Sequence, residues 1–215
     1  MKELRLALYV ITGTYPELWR GHLEVARAAL EGGASALQLR DKGLGGRDMY
    51  RLALQMRDMV DRSGGGCLLF VNDRVDVALA AGADGVHLGQ DDLPASDARS
   101  LVGANMIMGI SASTVDEAEK ARADGADYLG VGPVFATPSK ADAGMPIGVE
   151  GLRRIAKSVD VPVVAIGGIN EDNVGQVLEA GADGIAVISA VTAAGDMLEA
   201  VRRLRLAVDS CLSGR

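Results

Sequence analysis

Two cations and an amide occupy alternate positions in ALQLRDK (36–42): Gln38, Arg40 and Lys42. On a strand these three point to one face, while Leu37 and Leu39 point to the other. Burying unpaired charge is costly, so this face is expected to meet an anion. A second chemical signal is a pair of carboxylates, Asp73 and Asp92, each just past an apolar run. Beside cations such a pair suits Mg²⁺, which takes one or two carboxylates and completes its shell with substrate phosphate oxygens and water. Helix capping is the plainer role for an aspartate, and Asp91 competes with Asp92 for the second position. A third signal is AIGGIN (165–170) followed by AVIS (186–189). Gly167 and Gly168 let backbone N–H groups approach a phosphate, with Ser189 adjoining.

Charge counting links the first two signals. Arg40, Lys42, Lys140 and a divalent ion carry five positive charges against two from the aspartates. The surplus suits a diphosphate held for departure, because such clamps stabilise charge developing on leaving phosphate oxygens. Two separate anion sites then imply two phosphorylated substrates. Of the two histidines, His87 is read as a hydrogen-bonded core residue ahead of a general base, and His22 as surface. No Ser–His–Asp or Cys–His order stands out, and no GxGxxG or Walker loop occurs.

The elements that must position these groups are eight short apolar runs, at 6–12, 36–40, 67–72, 85–88, 106–111, 128–132, 163–168 and 185–189. Most are continuously apolar, as parallel strands covered on both faces are. Helical spacing fills the gaps: Met49, Leu52, Met56, Met59 and Val60, then Met197, Val201, Leu204 and Val208. The methionines are read as core packing, and Arg202, Arg203 and Arg205 as a solvated helix face. EGGASALQL (31–39), AGADGVHL (81–88), ADGADYLGV (123–131) and AGADGIAVI (180–188) repeat one phrase, helix end, glycine, alanine, then strand. Glycine closes a helix carboxyl end in left-handed geometry, so the phrase marks helix-to-strand joints and is structural.

Eight strands alternating with helices, at about 27 residues per unit, predict a single-domain (β/α)₈ TIM barrel over 1–215. An open doubly wound sheet is the runner-up. In the barrel the site lies where strands end, which gathers Asn72, Ser111, Thr137, Ser139, Lys140 and Ile188 with the groups above. The irregular stretch 135–150 reads as a functional loop.

Composition narrows the class. The chain has 215 residues, 48% apolar and only 3% aromatic, with 28 glycines and a net charge of −7. An acidic whole argues against nucleic-acid and anionic-membrane partners. No apolar run approaches a membrane span, and the amino terminus lacks a secretory pattern. Cys67 and Cys211 fit no metal or disulfide spacing and point to the cytoplasm. Oligomeric state is not legible.

QLRDK (38–42), VNDRVDVA (71–78), GVHLGQDDL (85–93), GIS (109–111), GPVFATPSK (132–140), AIGGI (165–169) and GADGIAVIS (181–189) together resemble the thiamine-phosphate synthase family, in order and over almost the whole chain. The resemblance implies a Mg²⁺-dependent transferase. It would join 4-amino-2-methyl-5-(diphosphooxymethyl)pyrimidine to a thiazole phosphate, giving thiamine phosphate and diphosphate. Carbon dioxide is also released when the thiazole carries a carboxylate. By position, Gln38, Arg40, Lys42, Asn72, Ser111 and Lys140 would hold the pyrimidine diphosphate. Asp73 and Asp92 would hold Mg²⁺. Thr137, Ser139, Gly168, Ile188 and Ser189 would hold the thiazole phosphate. In this family the diphosphate leaves first, with Arg40, Ser111 and Lys140 assisting, and the thiazole nitrogen attacks the resulting carbocation.

Two departures stand out. Ala136 replaces the family's usual proline before Thr137, and Ser113 stands where S-x-H is common. The related thiazole tautomerases use a histidine there for proton shuttling, so Ser113 argues against an isomerase. A tautomerase-like isomerase and a non-catalytic phosphometabolite-binding barrel are the alternatives.

Overall fold

The computed structural model describes residues 4, 6–13, 20–64, 66–139 and 144–213. Eight strands, β1 (Leu8–Ile11), β2 (Ala36–Leu39), β3 (Leu68–Asn72), β4 (Gly85–Leu88), β5 (Ile107–Ala112), β6 (Tyr128–Val131), β7 (Val163–Ile166) and β8 (Gly184–Val187), alternate with helices. The helices are α1 (His22–Glu31), α2 (Gly46–Arg62), α3 (Val75–Ala80), α4 (Ala95–Val102), α5 (Val115–Ala123), α6 (Gly148–Ser158), α7 (Val174–Glu179), the short α8 (Ser189–Thr192) and α9 (Met197–Leu212). Each strand pairs in parallel with the next, and β8 closes on β1. Closure excludes the open sheet: it is a (β/α)₈ barrel.

Alternation along each strand sorts side chains into two cores. Leu37 and Leu39 are buried outward among Met49, Ala53 and Met56 of the helical layer. The methionine and α9 stripes are core, as their spacing predicts: Met49, Met56, Val60, Val201, Leu204 and Val208 are buried. Cys67 is a buried thiol, which burial pushes up to about 12.

Inside the barrel sits a smaller core around Tyr9, Phe70 and Tyr128, whose ring centroids lie 5.1–6.1 Å apart. Glycines on the strands make room for these rings. A Cβ at Gly109 would lie 2.1 Å from the Tyr128 ring, and one at Gly130 would lie 2.8 Å from His87. Three of the seven aromatics of this chain thus fill the barrel interior.

The repeated joint has a shared geometry at the amino-terminal end of the barrel. Asp84, Asp127 and Asp183 each accept, through Oδ2, an N–H from the first or second residue of the preceding strand: Leu69 at 2.8 Å, Met108 at 2.7 Å and Val163 at 2.8 Å. Each returns its own N–H to the carbonyl of that residue at 2.8 Å. Ser35 does the same to Leu8 with its hydroxyl. The phrase is a structural clamp between strands.

Strands end earlier than their apolar runs. β2 stops at Leu39, β7 at Ile166 and β8 at Val187, so Arg40, Gly167, Gly168, Ile188 and Ser189 lie just beyond strand ends. The irregular stretch is shorter than 135–150, because α6 already begins at Gly148. Its Lys140, with 141–143, lies outside the described residues.

Candidate active site

The carboxyl ends of the strands open into one cavity. On one side it is lined by Arg40 and Lys42 beyond β2, Asn72 and Asp73 at β3, Asp92 after β4, and Ser111 of β5. On the other side stand Thr137 and Ser139 after β6, Gly167 and Gly168 after β7, and Ile188 and Ser189 after β8. The strand-end residues singled out in the sequence therefore converge, with Gln38 and Lys140 as the exceptions. Gln38 is only 1% exposed and sits one step below the cavity wall, its Nε2 donating to Tyr9 Oη at 2.8 Å. Its Oε1 has no partner among the described residues.

Asp73 and Asp92 face each other closely enough to share a hydrogen bond. Burial, then the Asp92 carboxyl, pushes Asp73 up to about 6, against the opposing pull of Lys42 and Arg40. The Asp73 backbone is left-handed, with φ 62°, a conformation that aspartate tolerates better than most side chains. Asp92 is anchored by the Gly89 N–H at 2.7 Å. Asp91 is exposed on the cavity rim, so geometry separates the two neighbours that spacing leaves level. Two crowded carboxylates beside open space form a hard-oxygen donor pair that a cation would relieve. Among the described residues no group of three acids, histidines or cysteines surrounds them. The pair fits Mg²⁺, which keeps several waters and takes its remaining oxygens from substrate phosphates.

The opposite wall is built for an uncharged grip. Gly167 and Gly168 both have positive φ, 101° and 65°. A Cβ at Gly168 would strike the Ala136 carbonyl oxygen at 2.7 Å, so only glycine fits. Ser139 Oγ is buried, with no partner among the described residues. Its backbone N–H is held by Thr137 Oγ1 at 3.2 Å. Ser113, the departure from S-x-H, is occupied: its N–H and hydroxyl both donate to Glu117 Oε2, at 2.6 and 2.9 Å.

His22 is not a surface residue. It is 6% exposed, with Nδ1 2.7 Å from Thr12 Oγ1 and Nε2 3.0 Å from Asp41 Oδ2. Asp41 also accepts the Gly43 and Leu44 N–H groups, at 2.7 and 3.0 Å. Burial opposes these contacts, but the His22 and backbone hydrogen bonds hold Asp41 below its usual value. Thr12 in turn receives the Arg40 N–H at 3.4 Å. This cluster fastens the loop that carries Arg40 and Lys42. The signal was present in spacing, since His22, Val25, Ala26 and Ala29 fall on one helical face and all are buried.

His87 is the hydrogen-bonded interior residue its place in β4 suggests, bonded to Tyr128 Oη at 2.9 Å and Ser111 Oγ at 3.0 Å. Tyr9 and Tyr128 were not legible as site residues, because no local pattern distinguishes an inward tyrosine from core filling. Gln90 also reaches the site, donating to the Ser111 carbonyl at 2.6 Å.

Residues 8–191 match the family model of thiamine monophosphate synthase. The chain is 54% identical to the thiamine-phosphate synthase of Moorella thermoacetica, over 92% of this chain and 93% of that protein. It is likewise 54% identical to that of Chloroflexus aurantiacus, over 94% and 92%. The solved structure of thiamine phosphate pyrophosphorylase from Pyrococcus furiosus matches with a TM-score of 0.88 at 48% identity, covering 96% of this chain and 97% of that one. With its closed barrel and its paired aspartates facing a glycine-built wall, the chain belongs to the thiamine monophosphate synthase family.

Proposed function

We propose that this protein is a thiamine-phosphate synthase, joining the pyrimidine diphosphate to the thiazole phosphate and releasing diphosphate. The observation that carries the reading is the division of one cavity into a cationic, metal-competent wall and a glycine-and-hydroxyl wall. Arg40 and Lys42 would bind the diphosphate, with Asn72 and Ser111 orienting it; Lys140, outside the described residues, would join them on the strength of the family resemblance. By position Gln38 would help to hold the pyrimidine diphosphate from one step below the cavity wall. Asp73 and Asp92 would hold Mg²⁺, which supplies charge neutralisation to the departing phosphate oxygens. Thr137, Ser139, Gly168, Ile188 and Ser189 would hold the thiazole phosphate.

The bond from the pyrimidine methylene carbon to the diphosphate oxygen breaks, and its electron pair leaves with the diphosphate. The thiazole nitrogen lone pair then forms the new carbon–nitrogen bond. No protein nucleophile is needed; the chain's contribution is position and charge. The tie between Ser113 and Glu117 disfavours proton shuttling and hence an isomerase. Two free cysteines support a reducing compartment, the cytoplasm. No helix among the described residues is long and apolar enough to cross a membrane.

The test mixes both substrates with Mg²⁺ and follows thiamine phosphate and diphosphate together. Equimolar appearance of the two is expected. Folded protein that forms neither would sink the reading.

A further inference from the structure

Four hydrogen bonds join five side chains through the barrel interior. Gln38 Nε2 donates to Tyr9 Oη at 2.8 Å, and Tyr9 Oη lies 3.1 Å from Tyr128 Oη. Tyr128 Oη lies 2.9 Å from His87 Nδ1, and His87 Nε2 lies 3.0 Å from Ser111 Oγ. The residues come from β2, β1, β6, β4 and β5, so the chain spans the barrel. Gln38, Tyr9, Tyr128 and His87 are all buried, and only Ser111 reaches the cavity.

We propose that this chain is a one-way relay that holds His87 as its Nε2–H tautomer and thereby fixes the Ser111 hydroxyl as a hydrogen-bond donor into the cavity. The direction follows from the first link. An amide nitrogen can only donate, so Tyr9 accepts from Gln38 and turns its own proton to Tyr128. Tyr128 in turn gives its proton to His87 Nδ1. That nitrogen must then be bare, the proton of the neutral ring sits on Nε2, and Ser111 Oγ accepts it. The Ser111 proton is left to point at the ligand.

The reverse direction requires the Gln38 amide turned round, with its NH₂ buried in place of the unpaired Oε1. An orphaned buried N–H is the rarer defect. A doubly protonated His87 also fails, because Tyr128 would then accept from His87 Nδ1 and one of the two tyrosine protons would be left without an acceptor. The chemical consequence is specific. A Ser111 that donates to His87 could only accept from the ligand, which is useless to an anion. A Ser111 that accepts from His87 offers a proton to a phosphate oxygen. The direction stands on the Gln38 amide orientation together with the four contacts, whereas its value to catalysis rests on the transferase reading above. His87, Tyr128 and Tyr9 are positioning residues, since none of them reaches the ligand.

The test is ¹⁵N NMR of histidine-labelled, ligand-free protein at about pH 8, above the ordinary histidine pKa. With two histidines in the chain, a His22→Asn spectrum identifies the signals of His87. The expected pattern is a protonated Nε2 and a bare Nδ1; an Nδ1–H or doubly protonated ring would overturn the relay. Tyr128→Phe, which keeps the ring that fills the barrel, should lower kcat about tenfold, the scale of one misdirected hydrogen bond. Both KM values should stay within about twofold, and Tyr9→Phe should act in the same direction more weakly. A Tyr128→Phe enzyme with wild-type kcat would overturn the catalytic consequence. Wild-type protein that shows the Nε2–H ring but forms no thiamine phosphate would instead remove the transferase reading and leave the relay standing.

Discussion

The two ends of the barrel use the same residue type to opposite effect. At the amino-terminal end, Asp84, Asp127 and Asp183 each meet an N–H from the first or second residue of a strand, and Asp84 and Asp127 also meet Arg57 and Arg99 at 2.7 and 2.6 Å. Every one of these carboxylates has donors, so it ties strands together. At the carboxyl-terminal end, Asp73 and Asp92 meet each other, and Asp73 is pushed up to about 6. Carboxylates matched by donors from a neighbouring strand serve the fold; the Asp73–Asp92 pair, crowded despite the Gly89 N–H on Asp92, is one that a cation would relieve. The contrast teaches that aspartate at a strand end is uninformative until its nearest donor is known.

The largest break in that contrast should come from Asp92→Ala. It should lower kcat/KM about a hundredfold or more, the scale of a lost metal clamp. Asp91→Ala should change it only a few-fold. Steady-state kinetics at saturating Mg²⁺ decide, and the reverse ranking would move the metal site to Asp91.

Asp73→Asn should be nearly as inactive yet no less stable than the wild type, because asparagine accepts the left-handed backbone and removes the crowding. The pH dependence has a definite sign. The folded pKa of Asp73, about 6, lies above its ordinary 3.8, so between those values the folded state holds the extra proton. Stability attributable to this group therefore falls as pH rises from about 4 to about 6, and the penalty is complete above that window. The unfolding free energy of Asp73→Asn minus that of the metal-free wild type should accordingly grow across the window and then level. Saturating Mg²⁺ should shrink the difference. A pH-independent difference would refute the crowding.

At the other end Asp127→Ala should do the converse. Losing the acceptor for the Met108 N–H and Arg99 should cost about 1–3 kcal/mol of stability. The variant should keep near-wild-type kcat in its folded fraction. Urea titration alongside activity separates the two, and a stable but inactive variant would erase the division of labour.

The smallest effect is assigned to His22→Ala, which loosens the Arg40–Lys42 loop without touching the cavity. KM for the pyrimidine diphosphate should rise roughly three- to tenfold, with KM for the thiazole phosphate unchanged. Equal changes in both would mean that His22 supports only the fold.

Much of this was readable along the chain. Continuous apolar runs, glycine-marked joints and helical stripes identify eight strand–helix units because each depends on neighbours a few residues away. The polar residues at strand ends stand out for the same reason: a core would not choose Arg40, Asp73 or Ser111. His22 reads as a surface residue although its helical face contains Val25 and Ala29, because a lone histidine at a helix start resembles a solvated one.

What the sequence by itself determined is therefore which residues lie at the mouth and which faces are apolar, since chain periodicity dictates both. Only the tertiary structure decided closure, the contact of Asp73 with Asp92, and the meeting of Tyr9 with Tyr128 from positions 119 residues apart. The physical reason is register. Side-chain direction follows from local backbone geometry, whereas a hydrogen-bond partner exists only once parallel pairing around the whole barrel has brought a second polar side-chain atom within about 3 Å. The relay from Gln38 to Ser111 is a property of the closed barrel, and no single strand carries it.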